Sequence, residues 1–351
     1  MKSMLDRIFV DGLSGMAQGL FATLIIGTII QQIGTFAGGD AGNLIYLTGK
    51  VAASMTGAGI GVGVARKFQA DQLVVVSAAT VGMVGAFAGK LLSGEIMQDG
   101  AMVFAGPGEP LGAFVAAYVA IEVGILISGK TKLDIILTPL GCIGVGAVVG
   151  IFVGPPISKF MAWLGSLINW GTEQQPFLMG IVVSVLMGMI LTLPISSAAL
   201  GIILNLSGLA AGAATIGCCC NMVGFAVASF RENRFGGLLA QGIGTSMLQV
   251  PNIVRRPLIW LPAILSSAIL GPVGTMLLHM TNNATGSGMG TAGLVGQIMT
   301  WQVMTQTEPP TVVLVKILVI QALLPALLTW MISEFMRKKN WIHYGDMRLD
   351  L

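Results

Sequence analysis

The sequence predicts an all-α protein that crosses the membrane about ten times, in two similar halves with re-entrant segments between spans. Three observations predict it. Lys, Arg, Asp and Glu together make up only 9% of the 351 residues, and mean hydropathy is +0.86. The stretches 174–230 and 257–307 contain no charged residue at all, a composition that cannot clothe a water-facing surface. Apolar runs recur at the length of about 20 residues that a helix needs to cross hydrocarbon.

Taken in order, the runs of the first half are 13–36, 44–65, 73–92, 111–128 and 135–155. Those of the second are 177–199, 206–230, 235–254, 258–278 and 312–333, and the weaker run 288–305 is a re-entrant segment or a further span. Run 13–36 is long for a signal-peptide core and lacks a small-residue cleavage site, so it reads as a retained helix. The 49 glycines suit helices that approach closely through small residues. The halves become 1–153 and 177–339, with a linker at 154–176 and a cytoplasmic tail at 340–351. Trp163, Trp170 and the lone Lys159 make that linker an interfacial amphipathic helix or a short buried one. Ile157-Ser158-Lys159-Phe160-Met161 and Ile332-Ser333-Glu334-Phe335-Met336 close the two halves alike. An odd number of spans per half would invert the second half relative to the first, as transporters commonly do.

With ten spans, Lys2, Arg7, Arg66, Lys67, Lys130, Lys132, Arg255, Arg256, Arg337, Lys338 and Lys339 share one side. Positive-inside then places both termini in the cytoplasm. Lys159, Arg231 and Arg234 fall on the other side, with Lys90 at that end of the third run. Arg231 and Arg234 contradict the orientation: either that turn is not at the outer surface or one span is miscounted. Net charge is +3, which gives no footing for nucleic acid. Cys142 stands alone and Cys218-Cys219-Cys220 are adjacent, so neither a disulfide framework nor a metal site follows. No metal or cofactor is expected.

Chemistry is expected where polarity interrupts apolar sequence. Residues 104–124 pair a Gly/Pro-rich break carrying Glu109 with a run carrying Glu122. An ionisable group at membrane depth marks a pathway or a site by default, so Glu109 reads as the rim of a substrate cavity or as part of a loop outside the bilayer. Lys50, well inside a run, pairs with a carboxylate or snorkels to the interface. His279, Asn282 and Asn283 precede the flexible Gly288–Gly293 stretch, and amides suit hydroxyl-rich ligands. Asn205, Asn221, Gln241, Gln249, Asn252 and Gln297 are further amides within apolar runs. Capping and interhelical hydrogen bonding would also account for any one of them. Gly124–Thr131 fits GxxxxGK[ST], but follows an apolar helix instead of a strand, so nucleotide binding is not expected.

The chain resembles the membrane-embedded IIC component of the bacterial phosphoenolpyruvate sugar phosphotransferase system, in the stand-alone branch that includes the perfringolysin regulator PfoR. Three segments carry the resemblance: Gly106-Pro107-Gly108-Glu109-Pro110, 205–221 from Asn205 through the cysteines to Asn221, and 241–252 from Gln241 through Gln249 to Asn252. The resemblance implies a homodimeric carrier in the bacterial inner membrane. It would move a small polar, sugar-like substrate that a separate IIB protein, charged by IIA, then phosphorylates. Glu109 takes the place of the family's sugar-binding glutamate, although the loop reads Pro-Gly-Glu-Pro where sugar carriers typically have Ile-Thr-Glu-Pro. The expected substrate-binding set is Glu109, Asn221, Gln249, Asn252, His279, Asn282, Asn283 and Gln297. The other function the resemblance allows is a membrane sensor of the same fold that binds a small molecule without coupled transport.

Overall fold

The computed structural model describes residues 7–98, 100–104 and 106–349, so Lys2 and the last two residues lie outside it. The described residues are mostly helical, with almost no sheet, and form a polytopic membrane protein. It divides into two compact units, Met1–Ala162 and Trp163–Leu351.

Unit 1 begins with α1, Leu13–Ala37, prolonged backwards by a π-helical turn Arg7–Gly12. Gly38 and Gly39, both with φ near +60°, reverse the chain into α2, which bends at Met55 between Gly39–Ser54 and Thr56–Lys67. Then come α3 (Gln72–Ala86), a short α4 (Ala88–Ser93) and a two-residue ribbon, β1 (Met97–Gln98) with β2 (Ala101–Met102). α5 is Pro110–Ile127. α6 is a single helix, Asp134–Thr172, that runs on through Pro155 and Pro156 and so takes in most of the expected linker. Arg7 stacks over Phe68 at 4.7 Å and pairs with Glu122 at 3.0 Å. Glu122 is therefore tied to the end of the unit where α1 starts and α5 finishes.

In unit 2, α7 (Pro176–Thr192) is followed by α8 (Ser197–Ile203) and α9 (Gly208–Ala228). Next come α10 (Phe230–Leu239), α11 (Val250–Arg255) and α12 (Pro257–Leu277). The short α13 (Ala284–Ser287) and α14 (Val295–Met304) lead to α15, Pro310–Lys338. Among the described residues, α1, α5, α6, α9, α12 and α15 are long and apolar enough to cross a membrane, with α3 and α7 as shorter apolar helices. α9 is the axis of the unit, buried along most of its length.

Two expected spans are interrupted. Run 177–199 stops at Thr192, because Pro194 has no N–H to continue the ladder, and α8 then returns towards the end where α9 begins. Run 235–254 enters and leaves by one end. The chain turns at Arg234 (φ 51°, ψ −153°), climbs to an extended Thr245, and descends through α11. Side-chain bonds fix this first hairpin: Gln249 Nε2 donates across the limbs to Gln241 Oε1 at 2.8 Å, and Gln241 Nε2 donates to Ser229 Oγ at the end of α9 at 2.9 Å. Arg231 and Arg234 consequently lie at the end that holds Arg255, Arg256 and Arg337–Lys339.

The expected tail is a packed strap. Ile342 and Met347 are buried with Phe225, Ile253, Ile259 and Met336. Met347 O accepts from Asn233 Nδ2 and Gln249 Nε2, and Arg348 O accepts from Asn252 Nδ2, all within 3.0 Å. Arg337 Nη2 meets Glu232 Oε1 at 2.9 Å and also reaches Ala228 O, while Gly345 N donates to the same carboxylate oxygen.

Candidate functional site

Three interruptions of helical backbone converge beside the Cys218–Met222 stretch of α9: the break 193–196, the tip of the first hairpin, and the tip of a second hairpin, 284–304. Thr192 Oγ1 lies 2.8 Å from Ser246 Oγ, joining the first two. Ser197 Oγ donates to Gly288 O at 2.7 Å, joining the first to the third. The tips Ala240–Gly244 and Ala292–Leu294 pack on one another, and Thr291 Oγ1 reaches Met222 Sδ at 3.5 Å. Gly290 makes this approach possible: its φ is +52°, and a Cβ there would lie 2.7 Å from Cys218 Cβ. Broken backbone inside a membrane protein survives only where protein buries it or water reaches it. Transporters build substrate sites from discontinuous helices of this kind.

Asn221, fully buried, is the polar hub of the convergence. Its Oδ1 accepts from Trp260 Nε1 at 2.8 Å and from Thr192 Oγ1 at 3.1 Å, and its Nδ2 donates to Gly217 O. Gln297 Nε2 sits 3.4 Å from Cys219 Sγ, and its buried Oε1 has no partner among the described residues.

Unit 1 holds Glu109 in a separate setting. Glu109 is the N-cap of α5, its Oε1 accepting from Leu111 N at 3.5 Å ahead of Pro110 at the first helical position. Its own N–H donates to Ala86 O at 2.8 Å, so the loop is docked at the break between α3 and α4. Phe104 packs edge-on against Phe87, with ring centroids 5.1 Å apart. The carboxylate is half-buried and stands at the end of α5 opposite Glu122. Gly108 permits the docking, with φ +72° and a hypothetical Cβ only 2.8 Å from Ala86 O. Gly108→Ala is expected to cost about 1–3 kcal/mol, read as a lowered unfolding midpoint. Gly106→Ala, at φ +81° with nothing within 4 Å, should cost less; equal losses would mean that docking contributes nothing.

A family model described as "Phosphotransferase system, EIIC" matches residues 10–349. The chain belongs to the EIIC family. No curated protein matches it.

In this EIIC protein the amides named from the sequence serve three local structures. Asn282 is buried at the base of the second hairpin, where Nδ2 donates to Thr215 Oγ1 (2.8 Å), Thr300 Oγ1 (3.0 Å) and Gly296 O (3.1 Å). Asn283 caps α13, its Oδ1 accepting from Gly286 N at 3.0 Å. Gln249 and Asn252 tie the first hairpin to the strap. His279, with φ +47°, lies on the surface beyond α12. Nearby, Lys316 Nζ bonds Glu308 and Leu278 O, pinning the exit of the second hairpin. Asn221 and Gln297 alone of the set stand at the convergence. Sequence reading missed Thr192, Ser246 and Thr291; Pro194 and the glycines around Ile243 were the signals that could have exposed them.

Proposed function

We propose that the chain is the membrane carrier of a phosphotransferase system, taking a small, polar, sugar-like substrate across the bacterial inner membrane. A separate IIB protein, supplied by IIA, phosphorylates the substrate on the cytoplasmic side, where both termini lie. The observation that carries this reading is the convergence of three backbone breaks beside Asn221, built from segments that contain no Asp, Glu, Lys or Arg. Asn221 and Gln297 line that convergence in unit 2; in unit 1, Glu109 is the carboxylate that the family resemblance assigns to the substrate. Asn282, Asn283, Gln249 and Asn252 act by positioning the hairpins. The carrier works as a homodimer; support comes from the outer faces of the α1–α2 hairpin, which expose Ile33, Phe36, Leu44 and Val51. Lys50 is exposed on the same hairpin without a partner among the described residues, a charge that lipid tails would not cover well.

The test is phosphoenolpyruvate-dependent uptake of labelled sugars by vesicles containing the chain with its IIA and IIB proteins. Glu109→Gln should reduce uptake at least a hundredfold while leaving the amount of folded protein unchanged. Retained uptake would remove Glu109 from the site. Sugar binding without flux in the unsubstituted protein would favour the sensor instead.

A further inference from the structure

The end of unit 2 that carries the strap is a rim of cations. Arg234, Arg255, Lys338, Lys339 and Arg348 are exposed there, and none has a carboxylate partner among the described residues. The described carboxylates at that end are already engaged: Glu232 by Arg337, Glu334 by Arg231, and Asp346 by Arg256. One buried cluster, built on Ile253, Ile259, Met336 and Met347, holds together α11, α12, α15 and the strap that bear these cations.

Large apolar groups are interleaved with the charges. Phe335 (54% exposed) and Trp341 (52% exposed) meet edge to face at 6.4 Å, and Lys339 Nζ lies 5.9 Å from the Phe335 ring. Leu258, also exposed, begins α12 beside Arg255 and Arg256. Cations and amphipathic rings at the ends of two apolar helices form the pattern of a headgroup layer. The acidic face of a soluble protein would answer the charges but leave the indole and phenyl rings without a counterpart. Basic pockets between helix ends are where anionic lipid headgroups bind.

We propose that this rim binds anionic phospholipid headgroups, and that the bound phosphates hold the strap on the first hairpin. Arg348 is on the strap, Lys338 and Lys339 precede it, and Arg255 ends the hairpin limb whose Asn252 bonds Arg348 O. A phosphate shared among these groups opposes their mutual repulsion, which otherwise favours release of the strap. Membrane location is all that this requires; it does not depend on what the carrier transports.

The test uses the full chain in nanodiscs of phosphatidylcholine alone or mixed with phosphatidylglycerol, with hydrogen exchange followed in 341–349 and 235–255. Phosphatidylglycerol should slow exchange in both segments, and high salt should restore it, because the attraction is screened beyond a Debye length. The triple variant Arg255→Gln, Lys338→Gln, Lys339→Gln breaks no ion pair and should lose the lipid effect, each cation contributing about fivefold in binding. Identical exchange in both lipids would overturn the proposal. So would an undiminished lipid effect in the triple variant. Protection by inorganic phosphate or glycerol phosphate in pure phosphatidylcholine would also overturn it, assigning the rim to a soluble phosphorylated solute.

Discussion

Arg337→Met should be among the most damaging single substitutions in this protein, costing about 3–5 kcal/mol of stability. The Glu232 side chain is fully buried and that of Arg337 is 9% exposed. Removing the guanidinium leaves a carboxylate without its counter-charge, with only Gly345 N still donating to it. Glu232 Oε2 and Arg337 Nε already lack hydrogen-bond partners among the described residues, so no spare donor is available to compensate. The same substitution removes the bond to Ala228 O, which anchors the end of α9 to α15. A marked fall in the thermal unfolding midpoint in detergent is the expected readout. Adding Glu232→Leu should recover most of the loss, since an apolar pair replaces an uncompensated ion. A single variant as stable as the parent would show that the carboxylate finds another way to neutralise itself.

The second large effect is expected at Asn282, and its signature differs from that of Glu109. Asn282→Ala removes the two Nδ2 hydrogens that three acceptors share in a membrane interior; at about 0.6–2 kcal/mol for each donated bond, the loss is roughly 1–4 kcal/mol. Exchange should rise through 284–304, because the base of the second hairpin is no longer fixed to α9. Uptake should fall with the stability of that hairpin. Glu109→Gln should abolish uptake with the unfolding midpoint unchanged. If Asn282→Ala weakened substrate binding without loosening 284–304, Asn282 would be a contact residue instead of an anchor.

The fold class was legible in the sequence because charge-free length is a strong signal: no arrangement of 174–230 or 257–307 could face water. Most helix positions followed from the same cue, including α5, which starts at Pro110 after a capping glutamate. Path was much less legible. A run of apolar residues looks alike whether it crosses the bilayer or turns back, and 235–254 turned back at a strained Arg234 and an extended Thr245. Pro194 was similarly absorbed into a run of 23 residues, 177–199, that the structure divides between two helices. The polar residues were found but their roles were not. An amide within an apolar run is equally suited to a substrate and to a backbone carbonyl, and only coordinates distinguish Asn282, whose donors are occupied, from Gln297, whose Oε1 is open. The strap was missed for a related reason: its hydrogen bonds run mainly through the backbone of 347–349, to which side-chain identity gives no clue.

The convergence beside α9 has an electrostatic character of its own. α7 and the climbing limb of the first hairpin both finish there, presenting carbonyl ends, whereas α14 starts there and presents amide hydrogens. Helix termini carry fractional charges of opposite sign, and the segments that meet here bring no Asp, Glu, Lys or Arg of their own. A full ion of either sign would be attracted by one set and repelled by the other. A neutral molecule bearing several hydroxyls can satisfy donors and acceptors together, which agrees with the polar, sugar-like substrate proposed above.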